Sequence, residues 1–242
     1  MNTKMKIALI TGANKGIGFE TARQMAQSGY FVYLGSRDRA KGLDAVNRLK
    51  ALGISNAELI EIDVADIRSI KKARQELEPR IEALDVLINN AGIAGDLPQN
   101  LSTGNIENLR QVFETNFFGA VQTTQEFIPL LKKSNQPRIV NVSSELGSIT
   151  VHSTTRNPNY EIYAAYSCSK TALNAFTVML ANEFRNTNFK INSVTPGYTA
   201  TDLNQHRGLQ TAEQAAKVIV RGATLDSEGP TGKFFKEQEI PW

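Results

Sequence analysis

The sequence predicts an α/β protein built on a doubly wound parallel sheet, folded as a single domain over residues 1–242. Three observations predict it. Short apolar runs recur that do not alternate with polar residues, each is followed by a segment of helical length, and the chain is long enough for one sizeable core but short for two. Strands without alternation are buried on both faces, and helical crossovers between them make the sheet parallel. A hydrophobic fraction of 41% supplies the interior such a sheet needs.

The elements follow in order. Lys6–Thr11 reads as a strand and Gly16–Gln27 as a helix. Tyr30–Gly35 is the second strand, followed by a helix over Arg39–Leu52. Ala57–Ile62 is the third strand, and the helix Ile67–Leu77 runs up to Pro79, which cannot continue it. Leu84–Asn89 is the fourth strand. A loop over Ala91–Gly104 then precedes a long helical stretch, Ile106–Lys132. Arg138–Ser143 is the fifth strand, Tyr163–Arg185 a helix, Lys190–Thr195 the sixth strand, Ala212–Ala223 a helix, and Lys233–Phe235 a last short strand. No internal repeat, low-complexity tract or linker divides the chain.

Composition excludes several classes. A net charge of +3 lacks the clustered basic face of a nucleic-acid binder, so no nucleic-acid partner is expected. One cysteine, Cys168, cannot form an intrachain disulfide. Together with His152 and His206, which read as loop residues, it makes no zinc set, and no metal site is expected. No run approaches the roughly 18 apolar residues of a membrane span. The start of the chain lacks the apolar stretch of a signal peptide. A reducing, cytoplasmic compartment without membrane attachment is the expectation.

Ligands of such sheets bind beyond the carboxyl ends of the strands. There the sequence places Thr11-Gly12-Ala13-Asn14-Lys15-Gly16-Ile17-Gly18, between the first strand and the first helix. Glycines allow a tight turn and close backbone approach to a pyrophosphate. The helix N-terminus adds N–H groups and the positive end of its dipole. A ligand-free turn is the alternative. The strand-turn-helix context at the chain start favours a Rossmann-type dinucleotide site.

The spacing T-G-x-x-x-G-x-G, with Asn89-Asn90-Ala91-Gly92 after the fourth strand and Asp63-Val64 after the third, resembles the short-chain dehydrogenase/reductase family along nearly the whole chain. The resemblance implies that Asp63 and Val64 contact adenine and that Gly12, Asn14, Lys15, Gly16, Ile17, Gly18, Asn90, Ala91 and Gly92 line the cofactor. After the second strand stands Gly35-Ser36-Arg37. NAD enzymes place an acid there for the ribose 2′-OH, and here Ser36 occupies that position. An acid would repel a 2′-phosphate, whereas Arg37 and Lys15 would pair with one, so NADPH/NADP+ is the expected cofactor. The alternative is that both are solvated surface cations. Asp38 is read as pointing elsewhere.

Tyr166-Ser167-Cys168-Ser169-Lys170 lies on a predicted helix, and residues four apart share a face. Carbonyl reduction needs hydride on carbon and a proton on oxygen. Bringing a phenol from about 10 to about 7 takes roughly 4 kcal/mol. One ammonium at about 4 Å supplies about that much at an effective dielectric near 20. Lys170 is thus expected to lower the Tyr166 pKa. A Tyr-x-x-x-Lys pair alone would read as an ordinary amphipathic helix, with Cys168 a packing residue off the shared face. The resemblance adds Ser144, in Val140-Asn141-Val142-Ser143-Ser144, as the serine that binds the substrate oxygen. It adds Asn116 as the holder of a proton-relay water. In Pro196-Gly197-Tyr198-Thr199-Ala200-Thr201 it gives Thr199 and Thr201 as nicotinamide anchors, with Pro196 and Gly197 beside them.

Gly12-Ala13-Asn14-Lys15-Gly16, Ser36-Arg37-Asp38 and Gly229-Pro230-Thr231-Gly232-Lys233-Phe234-Phe235 are similar to the carbonyl-reductase branch of the family. The implied activity is NADPH-dependent reduction of a small-molecule ketone or aldehyde. Ile93, Ala94, Leu146, Ile162, Tyr163, Tyr198 and Leu203 would form a largely apolar substrate wall. An acyl-thioester ketoreductase or a sugar-alcohol dehydrogenase of the same fold stays open, as does a non-catalytic nicotinamide-binding regulator. Helices of oligomeric family members resemble Ile106–Lys132 and Tyr163–Arg185, so a homodimer or homotetramer is expected. The segment between Ser144 and Tyr166, where monomeric and oligomeric members differ, leaves the subunit count open.

Overall fold

The computed structural model describes residues 5–154 and 163–242. Among the described residues seven strands form one parallel sheet: β1 (Ile7–Ile10), β2 (Phe31–Ser36), β3 (Ala57–Glu61), β4 (Val86–Asn89), β5 (Arg138–Val142), β6 (Lys190–Val194) and β7 (Phe234–Phe235). Their order is β3-β2-β1-β4-β5-β6-β7, so the direction of winding reverses between β1 and β4. The predicted strands are each present: the second is shifted by one residue at equal length, and the others are shorter by one or two residues.

The helices are α1 (Gly16–Gln27), α2 (Arg39–Ala51), α3 (Ile67–Leu77), α4 (Ile106–Phe113), α5 (Gly119–Leu131), α6 (Ile149–Thr154), α7 (Ala164–Glu183) and α8 (Ala212–Ala223). Side chains alternate across each strand, which sorts the core into two layers. Ala8, Ile10, Val32, Leu34, Ile88 and Val140 face α1, α2 and α8 through Phe19, Met25, Leu49 and Ile219. Leu9, Tyr33, Ile60, Leu87, Ile139 and Ile191 face α3, α5 and α7 through Ile70, Leu77, Phe127, Leu130 and Leu180. The expectation of helices on both faces is met by this division.

Two helical expectations are corrected. The stretch Ile106–Lys132 is not one regular helix, because a π-helical turn over Glu114–Phe118 joins α4 to α5. A Cβ on Gly119 would lie 2.9 Å from Val64 Cγ2 and 2.9 Å from its carbonyl oxygen, so the helix presses against the loop after β3 just where it leaves the wide turn. His152, expected in a loop, lies in α6, and its Nε2 pairs with Leu146 O at 2.7 Å. No helix among the described residues is long and apolar enough to cross a membrane.

Candidate active site

A cleft of about 1550 Å³ opens along the carboxyl ends of the strands. It exceeds the roughly 300–1,000 Å³ of ordinary small-molecule sites, which suits an extended ligand. All the residues assigned from sequence to cofactor and substrate line it among the described residues, except Asn116, which lies behind its wall. Ile162 lies outside the described residues.

Gly12 and Gly16 have φ of 62° and 56°, the left-handed region that other residues rarely adopt. A Cβ on Gly12 would stand 2.8 Å from Ala91 Cα, and one on Gly18 would stand 2.4 Å from Gly12 O. At Gly12 and Gly18 the turn therefore has no room for a side chain, and at Gly12 it is packed against the loop after β4. Thr11, which sequence reasoning missed, fixes that contact: its Oγ1 accepts from Asn90 N and Ala91 N, both at 3.0 Å. Asn90 answers by donating Nδ2 to Thr11 O at 2.9 Å and Gly12 O at 3.0 Å. Its side chain thus ties two loops together. Lys15 precedes α1 without a side-chain cap, so the first N–H groups of this helix face the cleft free for an anion. By contrast, α2, α3 and α8 are capped by Asp38, Asp66 and Thr211. The cradle fits a dinucleotide pyrophosphate.

Asp38, read as pointing elsewhere, caps α2 with its Oδ1 accepting from Lys41 N at 3.0 Å, yet it also lines the cleft. Ser36 is buried and donates its hydroxyl to Asp38 O at 2.8 Å. Arg37 is exposed on the cleft wall and makes no ion pair among the described residues. Lys15 is paired with Asp202, at 2.5 Å. Asp63 Oδ1 accepts from Ala65 N at 3.0 Å, and Val64 is held beneath Gly119.

Tyr166 and Lys170 come from the first turns of α7. Lys170 is 4% exposed, donates to Val142 O at 2.8 Å, and sits 5.6 Å from the centre of the Tyr166 ring. Burial lowers its pKa to about 8. Burial pushes the Tyr166 phenol up to about 12, with the Ser144 hydroxyl pulling it down and Tyr163 adding to the rise. Burial is the largest influence on the phenol, and the Lys170 ammonium expected to lower it is turned to the Val142 carbonyl. Ser144 is half-buried at the end of β5 and accepts from Leu146 N at 3.2 Å.

Asn116, in the π-helical turn, is buried. Its Oδ1 accepts from Ile93 N at 2.8 Å, and its Nδ2 donates to Ile93 O at 2.9 Å and Ser169 Oγ at 3.0 Å. The side chain clamps the loop after β4 onto α7. A Cβ on Gly92 would lie 3.3 Å from Asn116 Oδ1 and 3.6 Å from Lys170 Nζ. Gly92 thus brings this loop directly over the lysine.

Three further residues had no signal in the sequence. Gln99 is buried, accepts from Tyr166 N at 3.0 Å and donates to Ala94 O at 2.6 Å. It satisfies a first-turn N–H of α7 from a position 67 residues away. Asn204, also buried, donates to Thr199 O at 2.9 Å and accepts from Thr201 N at 3.2 Å. Glu145, next to Ser144, pairs with Lys236 at 3.1 Å, so the wall near the catalytic group is less apolar than expected. Ile93, Ala94, Leu146, Tyr163, Tyr198 and Leu203 do lie on it.

Residues 6–212 match the family model described as short chain dehydrogenase. The chain is 33% identical to a (+)-neomenthol dehydrogenase of Capsicum annuum, over 98% of both chains. The solved structure of salutaridine reductase from Papaver somniferum is 30% identical and superposes with a TM-score of 0.84, covering 96% of this chain and 100% of that one. The NADPH-bound carbonyl reductase from chicken fatty liver is 27% identical with a TM-score of 0.84, covering 99% and 100%.

Proposed function

We propose that this chain, which belongs to the short-chain dehydrogenase family, is an NADPH-dependent carbonyl reductase that turns ketones or aldehydes into alcohols. The observation that carries the reading is the meeting of Tyr166, Lys170 and Ser144 in a cleft that the glycine turn also lines. Relatives described as salutaridine reductase and as an NADPH-bound carbonyl reductase support it.

NADPH, when bound, supplies the hydride. The residues of this chain handle the oxygen. Ser144 donates a hydrogen bond to the carbonyl oxygen and holds it beside the phenol. Tyr166 gives that oxygen its proton, and a phenol pushed up to about 12 is fully protonated at neutral pH, as a donor must be. The phenolate left behind has the Lys170 ammonium 5.6 Å from its ring centre, and an opposite charge that close favours the charged form. Lys170 also faces the nicotinamide ribose. Asn116 holds the loop after β4 in register above Lys170. Thr199 and Thr201 face the nicotinamide, Asp63 and Val64 the adenine, and Arg37 and Lys15 the 2′-phosphate. A cytoplasmic setting belongs to the reading, supported by the lone cysteine.

Tyr166→Phe tests it. Turnover of an aryl ketone with NADPH should fall by about 10²–10⁴, while NADPH binding, followed by fluorescence titration, is retained. Near-normal turnover would remove Tyr166 from the chemistry. A dimer or tetramer is proposed with it, supported by Ile106, Phe118 and Met179, which are 53%, 45% and 64% exposed on α4, the π-helical turn and α7. Light scattering should then give a mass at least twice 26.6 kDa.

A further inference from the structure

The two cations assigned to the 2′-phosphate are not in the same state. Arg37 has no carboxylate partner among the described residues, because its neighbour Asp38 is turned to the start of α2. Lys15 is already engaged, with its Nζ 2.5 Å from Asp202 Oδ2. Asp202 opens a 3₁₀ turn over Asp202–Asn204, in the loop after β6, on the wall of the cleft opposite the glycine turn. The ion pair therefore crosses the cleft. It does so where the two walls come close, since a Cβ on the adjacent Gly16 would lie 3.7 Å from Thr201 Cγ2. The second oxygen of Asp202 meets His206 Nε2 at 2.9 Å. The carboxylate thus keeps a partner if Lys15 leaves. Lys15 and Asp202 are 63% and 55% exposed, so the ammonium can swing away at small cost.

An ammonium is a point charge that gives its full strength to one anion at a time. We propose that Asp202 is a specificity-determining residue, competing with the cofactor 2′-phosphate for Lys15. The inference rests on the reading that Lys15 and Arg37 face that phosphate. A cofactor bearing the phosphate draws Lys15 off Asp202 and opens the bridge. A cofactor with a free 2′-hydroxyl leaves the bridge closed. Two consequences follow. Asp202 holds NADPH affinity below what Lys15 and Arg37 together could give. Loading of NADPH also unties the loop that carries Tyr198 and Leu203, so the substrate wall gains freedom only with the phosphorylated cofactor.

The test is titration of NADPH and NADH, each separately, into the wild type, Asp202→Asn, Lys15→Met, the double variant and Arg37→Ala, with circular dichroism to check folding. Asp202→Asn keeps the shape and a hydrogen-bonding oxygen for His206 but removes the competing charge. It should tighten NADPH by about two- to five-fold, the range of an exposed ion pair, and leave NADH unchanged. In the Lys15→Met background the same substitution should have no effect. Unchanged or equally shifted affinities for both cofactors in Asp202→Asn would overturn the competition and make the bridge a simple strut. Arg37→Ala separates the two levels. If it weakens NADPH alone while Asp202→Asn is silent, only the competition fails. If Arg37→Ala and Lys15→Met weaken NADH as much as NADPH, the phosphate reading fails and the competition with it.

Discussion

The turn Thr11–Gly18 and the loop Thr195–Gln210 face each other across one cleft, yet they are held in different ways. The turn is fixed by the absence of side chains: Gly12 rests on Ala91 and Gly18 on Gly12 O, with Thr11 and Asn90 closing the contact. The opposite loop is fixed by side-chain amides. Asn204 holds Thr199 and Thr201, and Gln210 donates to Thr199 Oγ1 at 3.1 Å and to Pro196 O. Tyr198, Leu203 and Leu209 meanwhile stand 51%, 42% and 92% exposed. Backbone packed on backbone tolerates no change, and it suits a ligand part that never varies. A loop hung from amides with exposed apolar side chains can be reshaped, and it suits the part of the site that selects among carbonyl compounds.

The sharpest break of this contrast is Gly18→Ala. The new methyl would meet Gly12 O at 2.4 Å and Asn90 Nδ2 at 2.5 Å, and two of its three near neighbours are backbone atoms. Overpacking of this kind costs about 1–3 kcal/mol. Cofactor affinity should drop at least about tenfold, because the turn itself must shift to relieve the clash. Calorimetry and NADPH titration read both. Wild-type affinity in this variant would mean the turn is as pliable as the loop opposite.

The second test probes the floor between the two regions, where Lys170 is buried with no carboxylate partner among the described residues. Its folded pKa of about 8 lies below its ordinary value of 10.5. The unfolded chain therefore holds more protons between these values, and stability rises with pH through that window. Below pH 8 both states are protonated and the penalty is present in full. The shift corresponds to about 3 kcal/mol, less about 1 kcal/mol for the bond to Val142 O that a substitution would lose. Lys170→Met should abolish activity yet raise the melting temperature near neutral pH by about 4–8 °C. The gain should shrink as pH rises toward 10. A lower melting temperature at pH 7 would show that the ammonium is stabilising where it stands.

The smallest effect is expected at Tyr198→Ala. It should leave NADPH affinity nearly unchanged and reorder a ketone panel by kcat/KM, with aryl or long-chain ketones losing most, since each buried methylene is worth about 0.8 kcal/mol. A uniform loss across the panel would assign Tyr198 to the cofactor side of the comparison.

How much of this was legible in the sequence differs between the two regions. The glycine turn and the helix behind it could be read directly, because glycine spacing and the bounds Gly16–Gln27 are local facts. The bounds Ile67–Leu77 and Ala212–Ala223 of α3 and α8 were equally local. The opposite region was read only as a motif. Asn204 lies close in sequence to the threonines it holds, but nothing in the string marks its amide as inward. Gln99 was out of reach, because its acceptor serves a helix start far along the chain. The same is true of the buried chain in which Asn89 donates to Asn141 at 2.8 Å and Asn141 to Thr177 at 2.8 Å, with Ser193 Oγ 2.8 Å from Thr177 Oγ1.

By itself, the sequence determined the sheet and its two covered faces, the phosphate-binding turn, and the residue types available for proton transfer. Each of these is written in local spacing: apolar runs, glycines at fixed offsets, a tyrosine and a lysine one helical turn apart. Only the tertiary structure decided how those groups are poised. It turned Lys170 to Val142 O and left the Tyr166 phenol high, occupied the Asn116 amide with Ile93, inserted the π-helical turn, and gave Lys15 to Asp202. Burial and pairing depend on which distant segments share a wall, and that is settled when the strands take their places in the sheet.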